Sequence, residues 1–172
     1  MKGLLLAVLL AVASLPAKAD VYTLIGARLA VMEDVAAWKD ARGVPVEDKE
    51  REKVVLKAAG ERAAAEGLDR SLATAFFAAQ IEAAKDIQRC AIARWEQGEA
   101  ERPTNPPDLK SEIRPRLITL GAEILDAIAG TLRAGGRVDD RARFDDALAP
   151  HCIEAATRHT LFTELSALAL AD

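Results

Sequence analysis

The chain has 172 residues, with 23 Lys and Arg against 27 Asp and Glu, a formal net charge of −4 and only 4% aromatic residues. That length fits one domain able to bury a substantial core. The negative balance, with no basic stripe, argues against nucleic acid as a partner, because neutralising phosphates needs a cationic face.

Residues 1–19 read MKGLLLAVLLAVASLPAKA. Lys2 is followed by an apolar run from Leu4 to Leu15 and then by Ala17-Lys18-Ala19. A charged start, an apolar middle and a small-x-small end predict a signal peptide cleaved after Ala19. The run is too short to span a bilayer, which takes about 20 residues, so no membrane association is expected after cleavage. The mature domain is then residues 20–172, periplasmic or secreted. It loses Lys2 and Lys18, which takes the net charge from −4 to −6. In an oxidising compartment Cys90 and Cys152 are expected to form one disulfide, the alternative being two buried thiols.

From there on Ala, Leu, Glu and Arg dominate and β-branched alternation is absent, so the pattern is helical throughout. A first helix is expected from Val21 to Ala41, ending near Gly43, with Ile25, Leu29, Met32, Val35 and Ala36 on its apolar stripe. A second starts near Val46, after Pro45, and ends at Gly67. A third runs from Asp69, a candidate N-cap, to Gln97, with Gly98 as its stop. Its stripe includes Leu72, Phe76, Phe77, Ile81, Ala84, Ile87, Ala91 and Trp95. A loop with three prolines precedes a fourth helix over Leu109–Ala134, kinked or restarted at Pro115. Asp139–Ala149 and Pro150–Ala169 complete an all-α, six-helix single domain.

Ionisable and polar residues on the apolar stripes are the functional signal. Arg28, Met32, Val35 and Lys39 follow helical spacing over about three turns, so both cations flank the buried face. Snorkelling stems, or Lys39 complementing a helix C-terminus, would account for them without a site. Asp48, Arg51 and Glu52 form a tight acid–base cluster that a solvated salt-bridge ladder would also explain. Val55 and Ala59 continue the row, which allows it to face inward. Gln80 and Gln88 bracket Ala84 on the third helix, either as core amides tied to backbone or as neutral donors facing a cavity. His151 and His159 have no Cys or acid partners at ligand spacing, so they are read as surface residues and no metal site is implied. No phosphate-binding glycine loop, GxSxG or HExxH motif is present.

The ordered set of Arg28, Lys39 in AAWK, the segment VPVEDKERE over residues 44–52, and Gln88 in AAQIEAAKDIQ resembles the all-helical chorismate mutases. The likeness covers about residues 27–95. The signal peptide and the helices after Pro107 resemble the secreted subclass, in which a later helix of the same chain supplies an arginine; PPDLKSEIRPRL offers Arg114, with Arg116 as fallback. The resemblance implies rearrangement of chorismate to prephenate without cofactor or metal, in a homodimer with each site built within one chain. It implies that Arg28, Arg51 and Arg114 bind the substrate carboxylates, and that Lys39 and Gln88 donate to the ether oxygen. Glu52, with Asp48 nearby, accepts from the ring hydroxyl or holds the cations in place. Ala84 stands where many relatives carry Ser or Thr, and Val55 where secreted ones often carry Gln. Two other readings fit the same scaffold: an isochorismate pyruvate-lyase, or a non-catalytic periplasmic binding or effector protein.

Overall fold

The computed structural model describes residues 19–171. The expected signal peptide, apart from Ala19, lies outside the described residues. Within them are seven α-helices and one π turn: α1 (Val21–Ala30), α2 (Met32–Asp40), α3 (Lys49–Ala65), α4 (Arg70–Glu96), the π turn (Leu109–Ile113), α5 (Arg114–Arg133), α6 (Arg141–Leu148) and α7 (Ala155–Ser166). Because α1 and α2 are the two halves of the first expected helix, and the π turn and α5 together make the fourth, the six-helix, all-α reading holds. None of the described helices is long and apolar enough to cross a membrane.

Local chemistry sets most helix ends. The Asp20 carboxylate accepts from the N–H groups of Tyr22 (3.0 Å) and Thr23 (3.3 Å) and so starts α1. Asp69 does the same for α4 through Ser71 and Leu72 (2.8 and 2.9 Å). The stops at Gly67 and Gly98 take φ of 70° and 74°, the left-handed turn that glycine adopts without strain.

Two boundaries differ from expectation. The second expected helix starts at Lys49, not Val46, because Asp48 is the cap: its side chain accepts from the Arg51 N–H at 3.0 Å. Val46 is therefore left outside the helix with its carbonyl free to bind elsewhere. The last helix starts at Ala155, not Pro150, because the preceding segment is tied to α4. Cys152 is bonded to Cys90, and the Glu154 N–H donates to the buried Asp86 carboxylate at 3.3 Å. That segment also holds His151, which is half-buried rather than on the surface, with Nε2 3.2 Å from the Gly26 carbonyl.

Helix α4 is the central element, packed against α2, α3 and α7, while α1 packs on α5 and α6. Phe76, Ile25, Leu29, Ile124, Ile128 and Leu161 are fully buried in the core between these helices. Burying each such side chain contributes roughly 1.5–3 kcal/mol relative to leaving it exposed. Close crossings rely on missing side chains: a Cβ at Gly26 would lie 2.9 Å from the Ala147 carbonyl oxygen of α6. The end of the chain is sewn to the α3–α4 turn by Asp69 N–H to the Ala169 carbonyl and Ala171 N–H to the Gly67 carbonyl, both 2.9 Å.

The Cys90–Cys152 bond joins residues 62 positions apart. In the chain-entropy view such a loop contributes about 4 kcal/mol. Cys152→Ser is expected to lower the urea midpoint accordingly, and reduced parent protein should unfold at the variant's midpoint. An unchanged midpoint would show that the bridge constrains nothing the rest of the fold does not already hold.

Candidate active site

A cavity of about 430 Å³ lies between α1–α2, α3, α4 and the start of α5. Its wall is mostly apolar, with Met32, Val35, Val55, Phe77, Ile81 and Leu125 among the contributors. Of the residues singled out in the sequence, Arg28, Lys39, Asp48, Arg51, Glu52, Ala84, Gln88 and Arg114 line it, and Gln80 and Arg116 do not. Among the described residues, no Ser, Thr, Cys or His lines it.

Arg28 projects from α1 and is only 6% exposed. Its Nη1 donates to Gln80 Oε1 at 3.4 Å, its Cζ lies 5.6 Å from the Phe77 ring centre, and its Nε meets no partner. Among the described residues no carboxylate lies within 4.0 Å of it. Burial pushes its pKa down to about 10, which still leaves it charged at neutral pH.

Lys39, 7% exposed, reaches from α2 to the Val46 carbonyl that the late start of α3 leaves free. Burial holds its ammonium below the usual lysine range. Asp48 and Glu52 oppose that shift, while Arg114 and Lys85 add to it. All four of those charges line the same cavity as Lys39.

The first turn of α3 fixes the acids. Asp48 caps the helix, and Glu52 reaches back to accept from the Asp48 backbone N–H at 3.3 Å. The other Glu52 oxygen is 3.4 Å from Lys85 Nζ. Arg51, on the same turn, is half-buried and, among the described residues, has no carboxylate within 4.0 Å.

Gln88 is 4% exposed on α4. Its amide nitrogen donates to the Ala84 carbonyl at 3.0 Å, and its second contact is Met32 Sδ at 4.0 Å, a weak acceptor that a better one would displace. Gln80, two turns earlier, does not line the cavity and sits behind Arg28. The two glutamines that looked equivalent in sequence thus do different things.

At the far wall, the two arginines after the π turn are placed differently. Arg114 lines the cavity and is half-buried, whereas Arg116 is exposed and does not. Two residues on an α-helix point to nearly opposite sides. The wide turn also makes room for Pro115, whose ring would otherwise meet a carbonyl of the preceding turn. Asp108 caps the turn through the N–H groups of Lys110 and Ser111, both at 2.9 Å.

Lys85 and Arg62 are cations of the wall that sequence reasoning missed, and Lys85 is the buried one. It is 7% exposed and paired with Glu82 (2.6 Å) and Glu52 (3.4 Å). Burial pulls its ammonium down, but the bonds and charges of Glu82 and Glu52 outweigh that and leave its pKa raised. The available signal was its spacing, four residues after Ile81 and three before Gln88, which puts it on the same face.

Six cations (Arg28, Lys39, Arg51, Arg62, Lys85 and Arg114) and two acids line this cavity, in a chain whose net charge is −4. Of the cations, Arg62 is paired with Glu66 and Lys85 with Glu52 and Glu82. Among the described residues Arg28, Arg51 and Arg114 have no carboxylate within 4.0 Å, and guanidinium forks match carboxylates bidentately. Fold and pocket define an all-helical domain with an internal, mostly apolar cavity whose charged lining is predominantly cationic.

Comparison with known proteins agrees. The family model described as chorismate mutase type II matches residues 19–89, the stretch that holds Arg28 through Gln88. The secreted chorismate mutase of Yersinia pestis is 31% identical over 150 residues, which cover 86% of this chain and 79% of that protein. The secreted chorismate mutase of Mycolicibacterium smegmatis is 32% identical over 102 residues, 59% of this chain and 56% of that protein. The crystal structure of the Yersinia pestis protein matches with a TM-score of 0.78 and 30% identity, covering 87% of this chain and 97% of that one. The chain belongs to the chorismate mutase family.

Proposed function

We propose that this cavity rearranges chorismate to prephenate. Chorismate is a compact dianion with an enolpyruvyl ether, and the reaction breaks one C–O bond and makes one C–C bond in a single pericyclic step. The work left to a protein is to hold the folded conformer and to stabilise the charge that grows on the ether oxygen. The observation that carries the reading is Arg28: a buried guanidinium without a carboxylate partner among the described residues, on the wall of a cavity of about 430 Å³.

In this reading Arg28, Arg51 and Arg114 bind the two substrate carboxylates. Lys39 turns from the Val46 carbonyl toward the ether oxygen, and Gln88 donates to the same oxygen with the N–H that otherwise meets only Met32 Sδ. Glu52, held by the Asp48 N–H and by Lys85, accepts from the ring hydroxyl. Ala84 and Val55 add shape and no hydrogen bond. The mostly apolar wall strengthens each of these interactions relative to water.

The mature enzyme is periplasmic or secreted, with residues 1–19 removed. The leader-like pattern of that segment supports this, as do relatives named secreted chorismate mutase. Cleavage after Ala19 would leave Asp20, the cap of α1, in place; mass measurement of the exported chain tests the cut. As the family resemblance implies, the enzyme is a homodimer with each site built within one chain; sedimentation analysis tests the dimer.

The functional test is direct. The purified mature chain should consume chorismate and release prephenate. No reaction with chorismate, together with pyruvate release from isochorismate, would replace this reading with a lyase.

A further inference from the structure

Gln80 is fully buried on α4, at 0% exposed. Its carbonyl oxygen accepts from Arg28 Nη1 at 3.4 Å, and its own Nε2 meets no hydrogen-bond partner. An unpaired buried amide costs roughly 1–3 kcal/mol, so a leucine would be the cheaper core residue here. A glutamate would give Arg28 a full counter-charge. Glutamine does something different from both: it offers the guanidinium an oxygen without neutralising it.

The surroundings sharpen this. The Phe77 ring lies 5.6 Å from Arg28 Cζ. Among the described residues no carboxylate comes within 4.0 Å of the guanidinium. Gln80 contributes nothing to the cavity wall, so it touches Arg28 and not the cavity contents.

We propose that Gln80 is a charge-neutral positioning residue, whose carbonyl aims the Arg28 guanidinium into the cavity while leaving its positive charge for a substrate carboxylate. The inference rests on the chorismate reading of the pocket. A carboxylate at position 80 would share the guanidinium with the substrate, and two anions on one cation in a poorly solvated site weaken each other's hold.

Steady-state kinetics on the mature chain with Gln80→Glu and Gln80→Met separate the possibilities. Gln80→Glu is expected to raise KM for chorismate by about tenfold or more at neutral pH while kcat changes by less than about threefold, the signature of lost ground-state binding. Gln80→Met, which keeps the volume and removes the acceptor, is expected to raise KM by a smaller factor. A residue that only fills the core would shift Tm in both variants and leave KM alone. Should Gln80→Glu fail to fold, Gln80→Met decides: a raised KM supports the role and an unchanged KM overturns it. Parent enzyme that turns over chorismate, with both variants at its KM, overturns the inference alone. Parent enzyme inert toward chorismate overturns the functional reading beneath it.

Discussion

Lys39→Ala will lower kcat/KM by at least about two orders of magnitude, the scale seen when one donor to a developing oxyanion is removed. Lys39 is 7% exposed and held at the cavity by the Val46 carbonyl, a contact that exists only because α3 starts late. No other wall residue replaces it, since Lys85 is already bound to Glu52 and Glu82. The helices should persist, because the apolar contacts of α2 with α4 do not depend on this ammonium. Circular dichroism checks that point, and a near-native rate on folded protein would remove Lys39 from the mechanism.

The same ammonium sets a pH limit. Only its protonated form donates and carries charge. Burial lowers its pKa from the ordinary 10.5, so kcat/KM of the parent must fall as pH rises through a value below that figure. The sign follows from the direction of the shift: a depressed basic group loses its proton earlier, so activity is lost earlier. A rate that stays flat to pH 10.5 on folded enzyme would contradict the assignment of Lys39.

Gln88→Glu is expected to turn a comparatively pH-insensitive reaction, below that alkaline limb, into one that works best in acid. The Gln88 amide donates to the Ala84 carbonyl at 3.0 Å and has a second N–H for the ether oxygen. A carboxyl at this position has one proton at most. Ionised, it would set a charged oxygen against the Ala84 carbonyl and against an ether oxygen gaining negative charge. Burial and the carbonyl raise its pKa; Lys39 on α2 and Lys85, three residues earlier on α4, lower it. Wherever the balance falls, the useful form is the protonated one, so kcat/KM of the variant declines as pH rises through that pKa. Paired pH–rate profiles of parent and variant test it. Parallel profiles would mean that Gln88 does not reach the reacting oxygen.

Much of this molecule is written locally. Asp20 and Asp69 cap α1 and α4, Gly67 and Gly98 stop α3 and α4, and Pro115 marks the restart at α5, all through interactions spanning four residues or fewer. The spacing of Arg28, Lys39, Arg51, Glu52 and Gln88 carried the family likeness and put them on facing sides of their helices. With two cysteines there was one possible intramolecular bridge. Tertiary packing decided the rest. It separated Arg114 from Arg116 by the rotation of α5, and Gln88 from Gln80 by which of them meets the cavity. It brought Lys85, paired with Glu52 across 33 positions of sequence, onto the wall. It also kept the segment before α7 from being helical, by tying Cys152 and Glu154 to α4. Caps and stops depend on backbone groups within one turn and can be read from neighbours in the chain. Whether a polar side chain faces solvent, core or cavity depends on how each helix is rotated against three others, and that is set only when their apolar faces are buried together.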